Sequence, residues 1–215
     1  MIRQFGFSDA WLLLLAARWT VLLTLTAFIG GGAGGLVIAV ARVAPWRILR
    51  RVAAACITVL QGIPPLILLF LVFFGSNILG LRITPWTAAA LGYGLYGSAF
   101  LGEIWRGCLL AVPRGQRDAA MALALRFPQR LWLVITPQAA RLALPPTVGF
   151  LVQLLKSTSL ASVIGFGELT WTGQMLNNIT FAPLAVFGTV AGLYFVLCWP
   201  LSVVSARLER RLARP

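Results

Sequence analysis

Charged residues are so widely spaced along this chain that they mark the edges of apolar runs instead of the polar faces of amphipathic elements. Residues 19–41, 52–81 and 83–102 carry no charge, and each run is long enough to cross a hydrocarbon core of about 30 Å as an α-helix. They predict spans at about 19–42, 50–75 and 85–106. A fourth apolar stretch, 131–155, carries only Arg141 and is divided by Pro137, Pro145 and Pro146, which predicts a span at about 139–161 preceded by an interfacial piece. The run 183–206 predicts a fifth, with Trp199 near its end as an interfacial aromatic. Residues 10–17 are apolar but end in Arg18 and lead straight into another apolar run. They predict a short interfacial helix anchored by Trp11 and Trp19, not a cleaved signal.

Composition turns this pattern into a class. With 60% hydrophobic residues, 11% charged residues and a mean hydropathy of +0.90, the chain falls outside the range of soluble domains. The expectation is an all-α integral membrane protein with about five transmembrane helices in a single domain over 1–215. Five spans put the termini on opposite sides, and basic residues choose between the two orientations. With the amino terminus outside, Arg42, Arg47, Arg50 and Arg51 share one inner loop, and Arg106, Arg114, Arg117, Arg126 and Arg130 the next. Arg207, Arg210, Arg211 and Arg214 then fall in the inner tail. Arg3, Arg18, Arg82 and Lys156 are left outside, and Arg141 sits near the inner face. The excess of inner arginine selects amino terminus out and carboxyl terminus in. Topology thus accounts for the net charge of +13, and no nucleic acid partner is called for.

The chemistry available to such a chain is narrow. It has no histidine, and its three cysteines, Cys56, Cys108 and Cys198, have no paired spacing, so neither a disulfide framework nor a metal site follows. Lys156 is the sole lysine and no Gly-x-x-x-x-Gly-Lys-Ser/Thr run exists, so a nucleotide that drives this protein must be bound by another polypeptide. The five acids, Asp9, Glu103, Asp118, Glu168 and Glu209, are too dispersed to form a catalytic pair by sequence spacing.

Polar and small residues set among the apolar runs are the informative remainder. In the loop 113–130, Gly115 follows Pro113 as a chain break, and Asp118 falls in the first turn of an ensuing helix, where the dipole favours a carboxylate. Ala119, Ala120, Leu123 and Phe127 share one face of it at helical spacing. Such a helix either lies on the membrane surface or is offered to a partner. Gly30 with Gly34 and Gly31 with Gly35 form two small-xxx-small pairs suited to close helix packing; Gly92, Gly94, Gly97 and Ser98 either pack likewise or leave backbone open to a solute. Glu103 and Arg106, three residues apart, make a structural ion pair or a gate. Lys156 and Glu168 flank Ser157, Thr158 and Ser159, which either contact the carboxylate and ammonium of a bound amino acid or solvate a loop. Pro145 and Pro146 free backbone groups that need protein or water as partners, consistent with a cavity near mid-membrane.

Three ordered blocks carry a resemblance. They are Gly115-Gln116-Arg117-Asp118-Ala119-Ala120-Met121-Ala122-Leu123-Ala124-Leu125, Thr136-Pro137-Gln138-Ala139-Ala140-Arg141-Leu142-Ala143-Leu144-Pro145-Pro146, and Lys156-Ser157-Thr158-Ser159-Leu160-Ala161-Ser162-Val163-Ile164. With Gly102-Glu103-Ile104-Trp105-Arg106-Gly107 and Gln61-Gly62-Ile63-Pro64-Pro65-Leu66 upstream, the chain from about 18 to 211 resembles the permeases of polar amino acid ABC importers, type I membrane subunits with an EAA loop. Asp118 stands where that family's motif has glutamate, Ala124 where it has glycine, Gln61 where it has arginine and Ile63 where it has threonine. The resemblance implies an all-α type I permease fold with a cytoplasmic coupling helix at about 116–125. It implies ATP-driven import of a small polar solute, an amino acid, across the bacterial inner membrane. Gly115, Gln116, Asp118, Ala119, Ala120, Leu123 and Ala124 would meet a cytoplasmic ATPase dimer. Gln61, Gly62, Pro64, Ser98, Glu103, Lys156, Thr158, Ser159 and Glu168 would line the path, and the lost arginine at 61 points to a different or less acidic cargo. The implied partners are a second permease subunit, identical or similar, and an extracytoplasmic solute-binding protein; ATP and Mg belong to the ATPase, and no cofactor to this chain. The alternative is a self-sufficient ion-coupled carrier or channel, which calls for paired intramembrane ionisable residues or repeated halves.

Overall fold

The computed structural model describes residues 4–212, so Arg3 and Arg214 of the charge argument lie outside the described residues. All regular structure among those residues is helical. Helix α1 (Phe7–Val43) is followed by α2 (Arg47–Gly62), α3 (Pro65–Ile78), α4 (Pro85–Ala111) and the short α5 (Arg114–Ala122). A single turn, α6 (Phe127–Gln129), runs through a π-helical segment (Arg130–Ile135) into α7 (Thr136–Ser157) and a 3-10 segment (Thr158–Ile164). Helices α8 (Leu169–Thr180) and α9 (Pro183–Leu212) complete the chain.

The separate interfacial helix expected at 10–17 does not form: α1 is unbroken for 37 residues, about 55 Å at 1.5 Å per residue. Nothing at Arg18 or Trp19 interrupts it, and the buried stripe Leu13, Ala16, Ala17, Thr20, Leu23, Thr24 and Ala27 runs through the expected boundary at helical spacing. Asp9 secures its start, accepting the Gly6 N–H at 2.9 Å.

The span expected at 50–75 is broken, with the axes of α2 and α3 bent by 100°. Ile63 takes an extended conformation ahead of Pro64, and Pro65 opens α3 at a position where its missing N–H leaves no hydrogen bond unmade.

Helix α4 lies along α1 with both chains advancing in one direction. The rings of Trp19 and Trp86 are 6.1 Å apart, Gly31 meets Gly97, Gly35 meets Leu101 and Gly102, and Arg42 reaches Glu103 at 3.9 Å. Parallel neighbours require the bent α2–α3 unit to carry the chain back along the bundle. Glycine permits the approach: a Cβ built on Gly34 would stand 2.2 Å from Ser98 Oγ, and one on Gly35 2.9 Å from Leu101 Cβ. Gly30 meets nothing within 4 Å, so the Gly30–Gly34 pair contributes one close contact where two were expected.

The interfacial piece expected before residue 139 is continuous with the helix after it, from Phe127 to Ile164. Pro137 falls at the start of α7, and the wider π-turn before it absorbs the change of register. Pro145 and Pro146 stay inside α7, where Ser205 Oγ of α9 donates to the Pro145 carbonyl at 2.9 Å. Helices Phe7–Val43, Phe127–Ile164 and Pro183–Leu212 are long and apolar enough to cross a membrane, and the bent pair is a fourth when its two halves are counted as one span. The fifth expected span falls in α4, whose glycines, tyrosines, Ser98, Glu103 and Arg106 dilute its hydropathy because it is the central helix of the bundle. Tyr93, Leu69, Leu101, Phe150 and Leu154 form the core around it, tied by Tyr93 O–H to the Ser157 carbonyl and by Trp105 Nε1–H to Thr147 Oγ1 at 2.9 Å.

Candidate coupling surface and solute path

Helix α5 begins at Arg114 with Pro113 as its N-cap, so Gly115 lies inside the first turn instead of breaking the chain, and Asp118 falls beyond that turn. Two contacts pin it. Arg117 Nη2 donates to the Leu109 carbonyl at the end of α4 at 2.6 Å, and Gln138 Nε2 of α7 donates to Gln116 Oε1 at 3.3 Å. The single face expected for Ala119, Ala120, Leu123 and Phe127 is divided: Ala120 is buried against the body, whereas Ala119 is exposed and Leu123 is 75% exposed. Phe127 lies past the turn and packs with Leu131 and Ile135. The helix ends in a paired closure, Leu125 N–H to the Ala120 carbonyl at 3.1 Å and Ala124 N–H to that of Met121 at 2.9 Å, which places Ala124 at a left-handed φ of 54°. This is the position where the family motif has glycine.

The expected path residues separate into three groups. Gln61 and Glu103 line one cavity of about 410 Å³ with Phe100, Gly107 and Pro146, while Gly62 and Pro64 lie exposed at the adjoining bend. Gln61 Nε2 donates to the Ala99 carbonyl at 3.3 Å. Glu103 is held by Arg106 through both Nε, at 2.8 Å, and Nη2. Lys156 and Ser159 open instead on a groove of about 520 Å³ with Gln153 and Ser157.

The third group is structural in this conformation. Thr158 and Glu168 have no exposed surface, contrary to the expectation that they line a path. Thr158 Oγ1 donates to the Leu155 carbonyl at 2.6 Å. Glu168 caps α8, accepting the Trp171 N–H at 2.9 Å, and also accepts from Tyr194 O–H at 2.8 Å and Thr20 Oγ1 at 3.2 Å. Ser98 donates to the Gly94 carbonyl at 2.7 Å and fills the space beside Gly34. Thr20 and Tyr194 have no part in the sequence argument, although a threonine or tyrosine in an otherwise apolar span is a signal that a buried acceptor needs a donor.

A model of the family described as binding-protein-dependent transport system inner membrane component matches residues 31–214. The chain belongs to that family. It is 34% identical over 215 residues to the glutamine transport system permease protein GlnP of Escherichia coli (strain K12), covering 97% of this chain and 98% of that one. It is 32% identical over 195 residues to the probable amino-acid ABC transporter permease protein YckA of Bacillus subtilis (strain 168), covering 91% and 86%. Among solved structures it is similar to an amino acid ABC transporter crystallised with histidines, with TM-score 0.86, 30% identity and 93% and 94% coverage. The inward-facing MetNI methionine ABC transporter, with TM-score 0.82, 23% identity and 98% and 100% coverage, shares the fold. This permease is therefore a non-catalytic, multi-pass component of the bacterial inner membrane, and ATP use falls to a partner ATPase. The self-sufficient carrier or channel is set aside.

Proposed function

We propose that this permease imports an amino acid as one of two membrane subunits, identical or similar, that dock through α5 on a cytoplasmic pair of ATPases holding ATP and Mg. An extracytoplasmic binding protein delivers the solute. The observation that carries the reading is α5 itself, a nine-residue polar helix pinned to α4 and α7 on one side and bare along Gly115, Ala119 and Leu123 on the other. Small residues there let a partner approach closely, and Asp118 and Gln116 supply polar contacts at the rim. Because Arg117 and Gln116 fasten α5 to two long helices, a displacement of α5 moves α4 and α7 with it. ATP shifts this equilibrium only by binding one conformation more tightly than the other.

The solute path is assigned to the Gln61–Glu103 cavity and the Gly62–Pro64 bend beside it, with Lys156 and Ser159 forming a separate surface. The amino acid cargo rests on relatives named for glutamine and cystine transport. The test is co-purification with the ATPase of the same cell for wild type and for Ala119→Trp with Leu123→Asp, both on the bare face. Wild type is expected to retain the ATPase in fixed stoichiometry and the double variant to lose it with the membrane domain still folded. Equal retention by both would show that docking lies elsewhere.

A further inference from the structure

Between the end of α1, the end of α4 and the inner side of α5 lies a cavity of about 520 Å³ lined by Arg42, Arg50, Arg114, Arg117 and Arg130 against one carboxylate, Asp118. Of these five cations, only Arg42 is in an ion pair with another described residue, at 3.9 Å from Glu103. Arg50 is spent on the Ala44 and Pro45 carbonyls at 2.9 and 3.1 Å, and Arg130 lies 6.0 Å from the Phe127 ring. The Nε groups of Arg42 and Arg117 are buried with no hydrogen-bond partner. The five guanidiniums repel one another, and an anion with several acceptor oxygens in the cavity would relieve that repulsion.

A second cavity, of about 440 Å³, adjoins the first and shares Leu109 with it. It is apolar, lined by Leu36, Val40, Ala139, Ala140 and Trp132 between α1, α4 and the π-turn leading into α7. A cationic cleft beside an apolar crevice at the arginine-rich end of a membrane bundle has the two parts that an anionic lipid needs. We propose that this site binds one acidic glycerophospholipid, its phosphate among Arg42, Arg114, Arg117 and Arg130 and an acyl chain along the crevice. Basic pockets between spans take lipid headgroups by this chemistry. The bound lipid would bridge the end of α1 to α5, so the coupling helix would be seated partly on lipid.

The assembled transporter, with its ATPase, is equilibrated in mild detergent with phosphatidylglycerol and phosphatidylcholine of equal chain length, and retained lipid is read by native mass spectrometry. Phosphatidylglycerol is expected to be retained preferentially. Arg114→Gln with Arg130→Gln is expected to weaken its retention roughly twenty-fivefold, the effect of two basic contacts at about fivefold each. Ala140→Phe, at an exposed edge of the crevice, is expected to lower retention while leaving every arginine in place. Equal retention of the two lipids, or wild-type retention in either variant, would overturn the proposal. Displacement of the lipid by inorganic phosphate alone would overturn it in favour of a free-anion site.

Discussion

At Ala124 a methyl group occupies a left-handed backbone position, φ 54°, that closes α5 and that glycine fills without strain. Ala124→Gly is expected to stabilise the closure by about 1 kcal/mol, read as slower hydrogen exchange at Leu123, Ala124 and Leu125, whose N–H groups make it. Unchanged exchange would mean that the turn carries no strain. The departure from the motif was legible in the sequence; its conformational reason was not, because φ depends on where the helix ends. Glu168 shows the opposite limit. Its spacing to Lys156 suggested a pair facing a solute, but its partner Thr20 lies 148 residues earlier, and no local pattern reports that distance.

Among the elements, α1 and α4 meet through glycine, and the contacts are unequal. Gly35→Ala drives a Cβ to 2.9 Å from that of Leu101 and 3.0 Å from the Gly102 nitrogen, and is expected to destabilise the bundle by about 1–3 kcal/mol. Gly30→Ala meets open space and is expected to be neutral or slightly stabilising, since alanine is the better helix former. Thermal unfolding of the two variants in one detergent checks both, and equal effects would show that the contact is not the source. The sequence announced the glycine packing, whereas the break at Pro64 and Pro65 falls inside a run read as one span. It did not announce the 100° bend, nor that the piece before residue 139 would run unbroken into the helix carrying Pro145 and Pro146, where Ser205 Oγ meets the Pro145 carbonyl.

Across the whole molecule, the parallel course of α1 and α4 makes the chain return once between them. Two further long helices follow α4, and with the bent pair and α4 each counted as a span the expected arrangement has the described ends on opposite sides of the membrane. With the arginine-rich loops inward, a cysteine introduced at Ser8 in a variant lacking the native cysteines should react with a membrane-impermeant maleimide in intact spheroplasts, and one at Arg207 only after lysis. The reverse pattern would invert the topology. Charge at loop ends predicts the orientation, and the labelling pattern decides it. The identity of the central helix was not readable, because the helix that packs on most sides has exchanged hydropathy for small and polar residues.

The π-turn at Arg130–Ile135 has a consequence for the lengths that related chains can take. A π-turn holds one residue more than the α-helix around it, and each residue of an α-helix rotates the next side chain by about 100°. Deleting one residue within the turn heals it to regular α-helix and keeps the flanking faces in phase, whereas the same deletion in α7 swings Gln138 or Trp105's partner Thr147 a quarter-turn or more away. Length variation along this helix is therefore expected to fall at those six positions.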